Sequence, residues 1–152
     1  MEIFWLGNSD FKIKDKTTTV LVRPDGVLVD DLNFSGPGEY ESKGIMITGI
    51  KNGNSTIFQV VVDKLNVVFL DRVGTDKEKL EQIEETHILL TPESSVVAEL
   101  EPKIIVPYAF DGEQLAKLLK ELGAEAVNPI PKLSMTKDKL PEEPQVVVLS
   151  KS

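Results

Sequence analysis

The segment Gly36-Pro37-Gly38-Glu39-Tyr40-Glu41 is the most unusual stretch of the sequence, and a phosphate site is the first chemistry to weigh for it. Two glycines can adopt positive φ and allow the backbone to approach a ligand, as in phosphate-binding loops. However, no third glycine and no Gly-Lys-Ser/Thr follow, Pro37 removes an amide donor, and the two glutamates would repel a phosphate. The pattern therefore favours a tight structural turn.

Carboxylates provide a second possible site, for a divalent cation. Asp30 and Asp31, together with Glu39 or Glu41, could form an oxygen-only site for Mg²⁺ or Ca²⁺. Neighbouring side chains in a strand point to opposite faces, so both aspartates could serve one ion only within a turn. A solvated acidic turn is the favoured interpretation.

The single histidine, His87, is a candidate general base, with Ser94 or Ser95 as the nucleophile. Two features argue against catalysis. His87 opens an apolar run that is typical of a buried strand, and no Gly-x-Ser-x-Gly elbow is present. A structural role for this histidine is therefore favoured.

Composition excludes several classes of site. The chain has 152 residues, a formal net charge of −8, no cysteine and one histidine. Disulfides, thiolate metal sites and sites built on two or more imidazoles are therefore excluded. Negative charge disfavours nucleic acid as a partner, no apolar run approaches the roughly 18 residues of a membrane helix, and the first residues lack the basic region of a signal peptide. We expect one cytoplasmic domain over residues 1–152, without nucleic acid or membrane as partner.

The elements that must position these residues are mostly strands in the first half of the chain. Alternating or β-branched apolar residues predict antiparallel hairpins separated by turn clusters such as Asn52-Gly53-Asn54. The predicted strands are Met1–Leu6, Phe11–Ile13, Thr17–Val22, Val27–Val29, Ile45–Ile50, Thr56–Val62 and Leu65–Leu70.

Helices alternate with strands in the second half. Thr75 and Glu78 form the pattern of a capping box, and Asp111 opens a second helix that ends at Gly123. A short helix is also predicted within residues 93–100. Further strands are predicted at His87–Leu90, at Lys103–Val106, around Leu133 and at Gln145–Leu149. The pattern as a whole predicts one α/β domain with much antiparallel sheet.

Four segments in order give the sequence a family resemblance. Leu6–Ile13 is similar to L-G-H-S-x-F-x-I, and Ser35–Ile45 to G-P-G-E-Y-E-x-K-G-V. Thr56–Phe58 is similar to the start of N-T-I-Y, and Glu101–Pro107 to E-P-K-I-V-I-P. These segments resemble the metallo-β-lactamase fold, in particular its small bacterial and archaeal metal-dependent hydrolases. The resemblance implies a trimmed metallo-β-lactamase-like αββα sandwich of mostly antiparallel sheets flanked by helices.

The metal ligands of that family are absent at the matching positions. The H-x-H-x-D-H motif would lie within Pro24–Phe34, which contains no histidine, and the opening histidine is Asn8. The bridging aspartate falls at Arg72, with Asp71 one place off, and the last histidine at Ala109. Because such hydrolases use the metal to activate water, the resemblance implies a non-catalytic relative without cofactor, with a structural, binding or regulatory role.

Two alternatives for the former site stay open. Asp10, Asp71, Glu39 and Tyr40 could converge there to hold Mg²⁺ or to act as acid and base in a hydrolase with a rebuilt site. Otherwise the region serves binding. The candidate binding residues are Asn8, Asp10, Gly36, Gly38, Glu39, Tyr40, Asp71 and Arg72.

The resemblance also implies that the segment carrying H-x-H-x-D-H is deleted within Pro24–Phe34. This deletion should expose apolar surface beside the former metal site. Exposed apolar patches are normally covered by a partner, so we expect a homo-oligomer or a complex with another protein.

Two hypotheses concern the environment of the Arg72 side chain. Its guanidinium could fill the former metal position and form a buried ion pair with Asp10, Glu39 or Asp30. Alternatively, Arg72 is a solvated residue at the end of a strand.

Overall fold

Alternation of apolar and polar residues builds most of the chain into strands. In the computed structural model, which describes residues 1–152, Phe11 and Ile13 are buried whereas Lys14 is exposed. The strands are β1 (Glu2–Gly7), β2 (Asp10–Lys14), β3 (Thr19–Arg23), β4 (Gly26–Val29), β5 (Leu32–Phe34), β6 (Gly38–Ser42), β7 (Ile45–Asn52), β8 (Ser55–Val62), β9 (Leu65–Phe69), β10 (Ile88–Thr91), β11 (Ile104–Pro107), β12 (Leu133–Ser134) and β13 (Gln145–Val146).

These strands form two sheets. The first has the order β12-β1-β2-β3-β4-β5 and is antiparallel throughout. The second has the order β13-β11-β10-β9-β8-β7-β6. Its strands β6 to β9 are antiparallel, whereas β9, β10, β11 and β13 run parallel. The predicted α/β sandwich with mostly antiparallel sheets is therefore present.

The helices are few and short. They are α1 (Lys77–Leu80), α2 (Val97–Leu100), α3 (Gly112–Glu121) and a 3-10 turn at Lys137–Lys139. Helix α1 contacts β7 and helix α3 contacts β11, both of which belong to the second sheet. None of the helices has the length and apolarity needed to cross a bilayer.

Two apolar clusters hold the layers together. The larger cluster of 22 buried residues lies between the sheets and includes Phe11, Phe69 and Tyr108. The smaller cluster of nine residues includes Leu80 of α1 and Leu100 of α2, which pack on the second sheet. Strands β10 and β11 are buried on both faces, which explains why their sequences are continuously apolar.

Strand β1 pairs on one side with β2 and on the other with residues that come late in the sequence. Glu2 pairs with Ser134 of β12, and Trp5 forms an isolated bridge to Lys151. The backbone amide of Ser152 also donates to the carbonyl of Trp5 at 2.9 Å. The chain after β13 thus links both sheets.

Some predicted elements differ in extent. The capping box is wrong, because Asp76 rather than Thr75 caps α1 and accepts from the amide of Glu78 at 3.1 Å. Helix α1 ends at Leu80, and Ile83, in the turn that follows, is also buried. The helix predicted within residues 93–100 is confined to Val97–Leu100.

Helix α3 is confirmed, with Asp111 as its N-cap. The carboxylate of Asp111 accepts from the amide of Gln114 at 2.8 Å. Gly123 follows the last turn with φ +68°, the left-handed conformation predicted for the residue after a helix.

Candidate functional site

A cleft of about 530 Å³ lies beyond the carboxyl ends of the parallel strands β9, β10 and β11. The segments that follow these strands line it: Asp71–Val73, Pro92–Ser95 and Ala109–Phe110. Helix α3 completes the wall. Ligands commonly bind at this edge of parallel sheets, because the connecting loops gather there. This cleft is therefore the candidate site.

Arg72 lines this cleft, but its guanidinium extends to Asn52 and Gly53, which do not line it. Its Nη2 donates to the carbonyl of Asn52 at 2.9 Å, on the turn between β7 and β8. Gly53, with φ +64°, makes room for the contact, since a Cβ at that position would lie 2.5 Å from Nη2. The rest of the side chain is exposed.

The ion pair hypothesised for Arg72 is not formed, and the alternative of a solvated strand-end residue describes it. No carboxylate oxygen lies within 4.0 Å of the guanidinium. Asp30 instead pairs with Lys43 and accepts from the amide of Thr19 at 3.1 Å. The hydrogen bond from Lys43 and then that from Thr19 lower the pKa of the Asp30 carboxyl.

Tyr108, which follows β11, is a buried titratable group that lies behind the cleft. Its hydroxyl donates to the carbonyl of Leu70. Burial raises the pKa of the Tyr108 phenol far above its ordinary value, a hydrogen bond with Ser9 opposes the rise, and the carboxylates of Asp71 and Asp10 add to it. The phenol is therefore held protonated and engaged.

Sequence reasoning missed this group, although it named Asp10 and Asp71. A polar residue directly after a continuously apolar strand was the available signal, because a buried hydroxyl needs a hydrogen-bond partner.

Glu93 is a second residue that the sequence did not single out. Its carboxylate accepts from the amides of Gly74 at 3.1 Å and Thr75 at 3.2 Å, and from the hydroxyl of Ser95 at 3.0 Å. It thus fastens the loop after β9 to the loop after β10. In a capping box the side chain of Glu78 would accept from the amide of Thr75, which here donates to Glu93 instead.

His87 lies at the opposite end of β10 from Ser94 and Ser95. Its Nδ1 accepts from the amide of Asn66 at 2.8 Å, and its Nε2 lies 3.0 Å from a carboxylate oxygen of Glu85. Both ring nitrogens are therefore engaged by Asn66 and Glu85, and neither is paired with a serine.

The Gly36–Tyr40 segment forms a turn around the hydroxyl of Tyr40. The Tyr40 hydroxyl donates to the carbonyls of Ser35 at 2.9 Å and Pro37 at 3.0 Å, so the turn directs carbonyls inward, where a phosphate would need amides. Gly49 of β7 packs against it, because a Cβ there would lie 2.4 Å from the carbonyl oxygen of Gly36. The turn is shorter than predicted, since β6 begins at Gly38.

The predicted binding residues are thus only partly gathered. Asp71 and Arg72 line the cleft. Gly36, Gly38, Glu39 and Tyr40 belong to the β6 edge of the second sheet and do not line it.

The other two predicted binding residues lie at the start of β2: Asn8 precedes the strand and Asp10 is its first residue. Asn8 is exposed in a left-handed turn with φ +49°, where its carbonyl accepts from the indole of Trp5 at 3.0 Å. Asp10 opens β2 and is half-buried.

Comparison with known proteins identifies the family. A family model described as the beta-lactamase superfamily domain matches residues 10–131. The chain belongs to the beta-lactamase superfamily. A crystal structure from Thermotoga maritima, provisionally described as a Zn-dependent hydrolase of the metallo-beta-lactamase superfamily, has the same fold. It is 21% identical, each chain covers 98% of the other, and the TM-score is 0.76. No curated protein matches the chain.

The residues of this beta-lactamase superfamily member do not fit a metal centre. A catalytic zinc site uses three protein ligands of the His, Asp, Glu or Cys type. No three such side chains lie together in this structure in a way that could hold an ion. Ala109 presents only a methyl group to the cleft, and Arg72, which also lines it, carries a cationic guanidinium and no metal-ligating atom.

Proposed function

We propose that this chain is a metal-free, non-catalytic member of its superfamily that acts by binding at the cleft beyond β9, β10 and β11. The main support is that the cleft is present but has no set of metal-ligating side chains. The cleft persists at the carboxyl ends of the parallel strands, while its lining includes Arg72 and Ala109 and no cluster of metal-ligating side chains.

Glu93, Ser95 and Tyr108 do not supply the missing chemistry. Hydrolysis needs an activated water or nucleophile together with stabilisation of the developing charge. The carboxylate of Glu93 is occupied by three hydrogen-bond donors, and Ser95 is one of them. The Tyr108 hydroxyl is committed to the carbonyl of Leu70. None of these groups is left free to take a proton from a substrate.

Exposed apolar side chains support a protein partner. Val73 is 63% exposed and Phe110 is 67% exposed, and both flank the cleft. A second copy of the chain or another protein, in the cytoplasm, would cover them. Light scattering across micromolar concentrations tests the homo-oligomer, and a monomer throughout that range would contradict it.

Metal analysis combined with assays tests the non-catalytic role. The purified protein is loaded with Zn²⁺, Mn²⁺ or Fe²⁺, and bound metal is measured after gel filtration. Turnover is assayed on phosphodiester, ester and β-lactam substrates. We expect substoichiometric metal and no turnover, whereas stoichiometric metal with turnover would overturn the proposal.

A Mg²⁺ site is the competing function, with Asp71, which lines the cleft, and Asp10, which opens β2, as its candidate carboxylate ligands. Crystals soaked in Mg²⁺ or Mn²⁺ would reveal an ion with at least two carboxylate ligands if that function holds. Asp10→Asn and Asp71→Asn would then abolish metal uptake, while Asp31→Asn, at an exposed position, would not.

A further inference from the structure

One edge of the second sheet is long enough to accept another strand. The edge strands are β12 and β5 in the first sheet, and β13 and β6 in the second. Strands β12 and β13 have two residues each and β5 has three, whereas β6 has five. Short length, proline, lysine and bulges usually block an edge against further pairing. Strand β6 has none of these features, since it pairs with β7 in continuous register.

The unpaired backbone groups of β6 belong to two of its residues. The hairpin between β6 and β7 turns at Lys43-Gly44, where both residues have positive φ, as in a type I′ turn. In such a turn the flanking residues Ser42 and Ile45 are hydrogen-bonded to each other. Because hydrogen-bonded pairs alternate along antiparallel strands, the amides and carbonyls of Glu39 and Glu41 point away from β7. These four groups are therefore open to another strand.

The side chains along this edge define what can pair with it. Glu39 and Glu41 are exposed on the outer face of the sheet and form no ion pair. Tyr40, between them, lies on the inner face, where its ring centroid is 5.3 Å from that of Phe34. Leu32, on the same face of β5 as Phe34, is 56% exposed. The edge is thus acidic on its outer side and apolar on its inner side.

A second copy of β6 does not complement this edge. Antiparallel pairing that uses all four open groups places Glu39 of one copy opposite Glu41 of the other. Like charges directly opposite each other destabilise a pair of strands, whereas opposite charges stabilise it. The two glutamates therefore favour a strand with basic side chains over a second copy of this chain.

We propose that β6 binds an extended segment of another protein in which Lys or Arg alternates with apolar residues. The segment adds an antiparallel strand to the second sheet and bonds to the open backbone groups of Glu39 and Glu41. Its basic side chains lie opposite the two glutamates, and the apolar side chain between them extends toward Leu32 and Phe34. Strand β6 does not line the cleft, so this interaction is separate from the binding proposed there.

A short peptide tests the interaction. The probe is Gly-Lys-Val-Lys-Val-Lys-Gly with blocked ends, and a charge-reversed peptide has Glu in place of each Lys. Binding is followed by NMR chemical-shift changes of the backbone amides. We expect saturable binding of the Lys peptide with shifts centred on residues 38–42, and about tenfold weaker binding of the Glu peptide. Hydrogen exchange should slow more at Glu39 and Glu41, whose amides gain a partner, than at Tyr40, whose amide already faces β7.

N-methylated peptides separate strand addition from simple attraction between charges. Methyl groups on the lysine amides remove the donors that face β6 and keep every side chain. Methyl groups on the valine amides, which point away from β6, provide the matched control. We expect the lysine-methylated peptide to bind about tenfold more weakly than the parent, and the valine-methylated peptide to stay within about threefold of it.

Removal of the two carboxylates tests the acidic side of the edge. Glu39→Gln combined with Glu41→Gln should bind the Lys peptide about fivefold more weakly. Glu113→Gln combined with Glu125→Gln changes the net charge equally and is the matched control. Glu113 and Glu125 are exposed, form no ion pair, and lie outside both β6 and the cleft. The control should stay within about twofold of the wild type.

Several outcomes would overturn the proposal. These are no saturable binding of the Lys peptide, equal affinity for the Lys and Glu peptides, equal affinity for the two N-methylated peptides, or unchanged affinity after removal of the two carboxylates. A dimer of the protein alone, with the amides of Glu39 and Glu41 already protected from exchange, would also overturn it, because a second copy would then occupy the edge.

Discussion

Replacing Tyr108 by Phe tests the buried hydrogen bond behind the cleft. The substitution keeps the ring, whose centroid lies 5.2 Å from that of Phe11 and 6.3 Å from that of Phe69. It removes only the hydroxyl that donates to the buried carbonyl of Leu70. Leaving that carbonyl without its partner should lower the free energy of unfolding by about 1–2 kcal/mol at neutral pH.

The effect should depend on pH in a defined direction. Burial raises the pKa of Tyr108 in the folded protein, whereas an unfolded tyrosine titrates near pH ~10. The folded state therefore binds this proton more tightly. Its contribution to stability is complete below about pH 10 and is lost as the pH rises from there toward the folded pKa, by about 1.4 kcal/mol per pH unit. At about pH 11 the wild type should have lost about 1.4 kcal/mol through this group, and Tyr108→Phe should have lost nothing.

Urea unfolding of both proteins, followed by the fluorescence of Trp5, the only tryptophan, measures the difference. The advantage of the wild type over Tyr108→Phe should shrink from about 1–2 kcal/mol at neutral pH to near zero at about pH 11. Tyr40 is present in both proteins, so its ionisation cancels. A stability difference that stays constant or grows with pH would refute the reasoning.

Three further substitutions test other contacts by urea unfolding. Gly49→Ala places a methyl group 2.4 Å from the carbonyl oxygen of Gly36 and should cost about 1–3 kcal/mol; a change below about 0.5 kcal/mol would contradict this packing. His87→Ala removes the acceptor of the Asn66 amide and should cost about 1–3 kcal/mol, and faster hydrogen exchange at that amide should accompany it. Arg72→Ala should change stability by less than about 1 kcal/mol, because the residue is exposed; a loss of about 3–5 kcal/mol would indicate a buried ion pair after all.

The sequence was most informative where the determinants are local. The alternation of apolar and polar residues predicted the strand around Phe11 and Ile13. The N-cap residue Asp111 and the helical spacing of the leucines that follow predicted α3. Strand β6 was missed because its glycine and glutamate residues have low β-propensity. Its formation depends instead on a hairpin through Lys43-Gly44, in which both residues have positive φ.

In the candidate site, too, the sequence predicted which residues are present but not the contacts that depend on distant parts of the chain. Register with the family motif aligned Arg72 and Ala109 with metal ligands of the family, and both residues line the cleft. The direction of the guanidinium could not be predicted, because the turn at Asn52 and Gly53 sets it. The occupation of Glu93 likewise depends on amides 18 and 19 residues away in sequence.

The pairing of β1 with β12 has a consequence for how the chain is made. Glu2 is synthesised 132 residues before its partner Ser134. At roughly 5–20 residues per second, β1 waits for several seconds or more with that edge unpaired. Open strand edges invite pairing with other chains, so the nascent protein is most exposed to aggregation in this interval. Assistance by a chaperone should therefore matter most before β12 is synthesised.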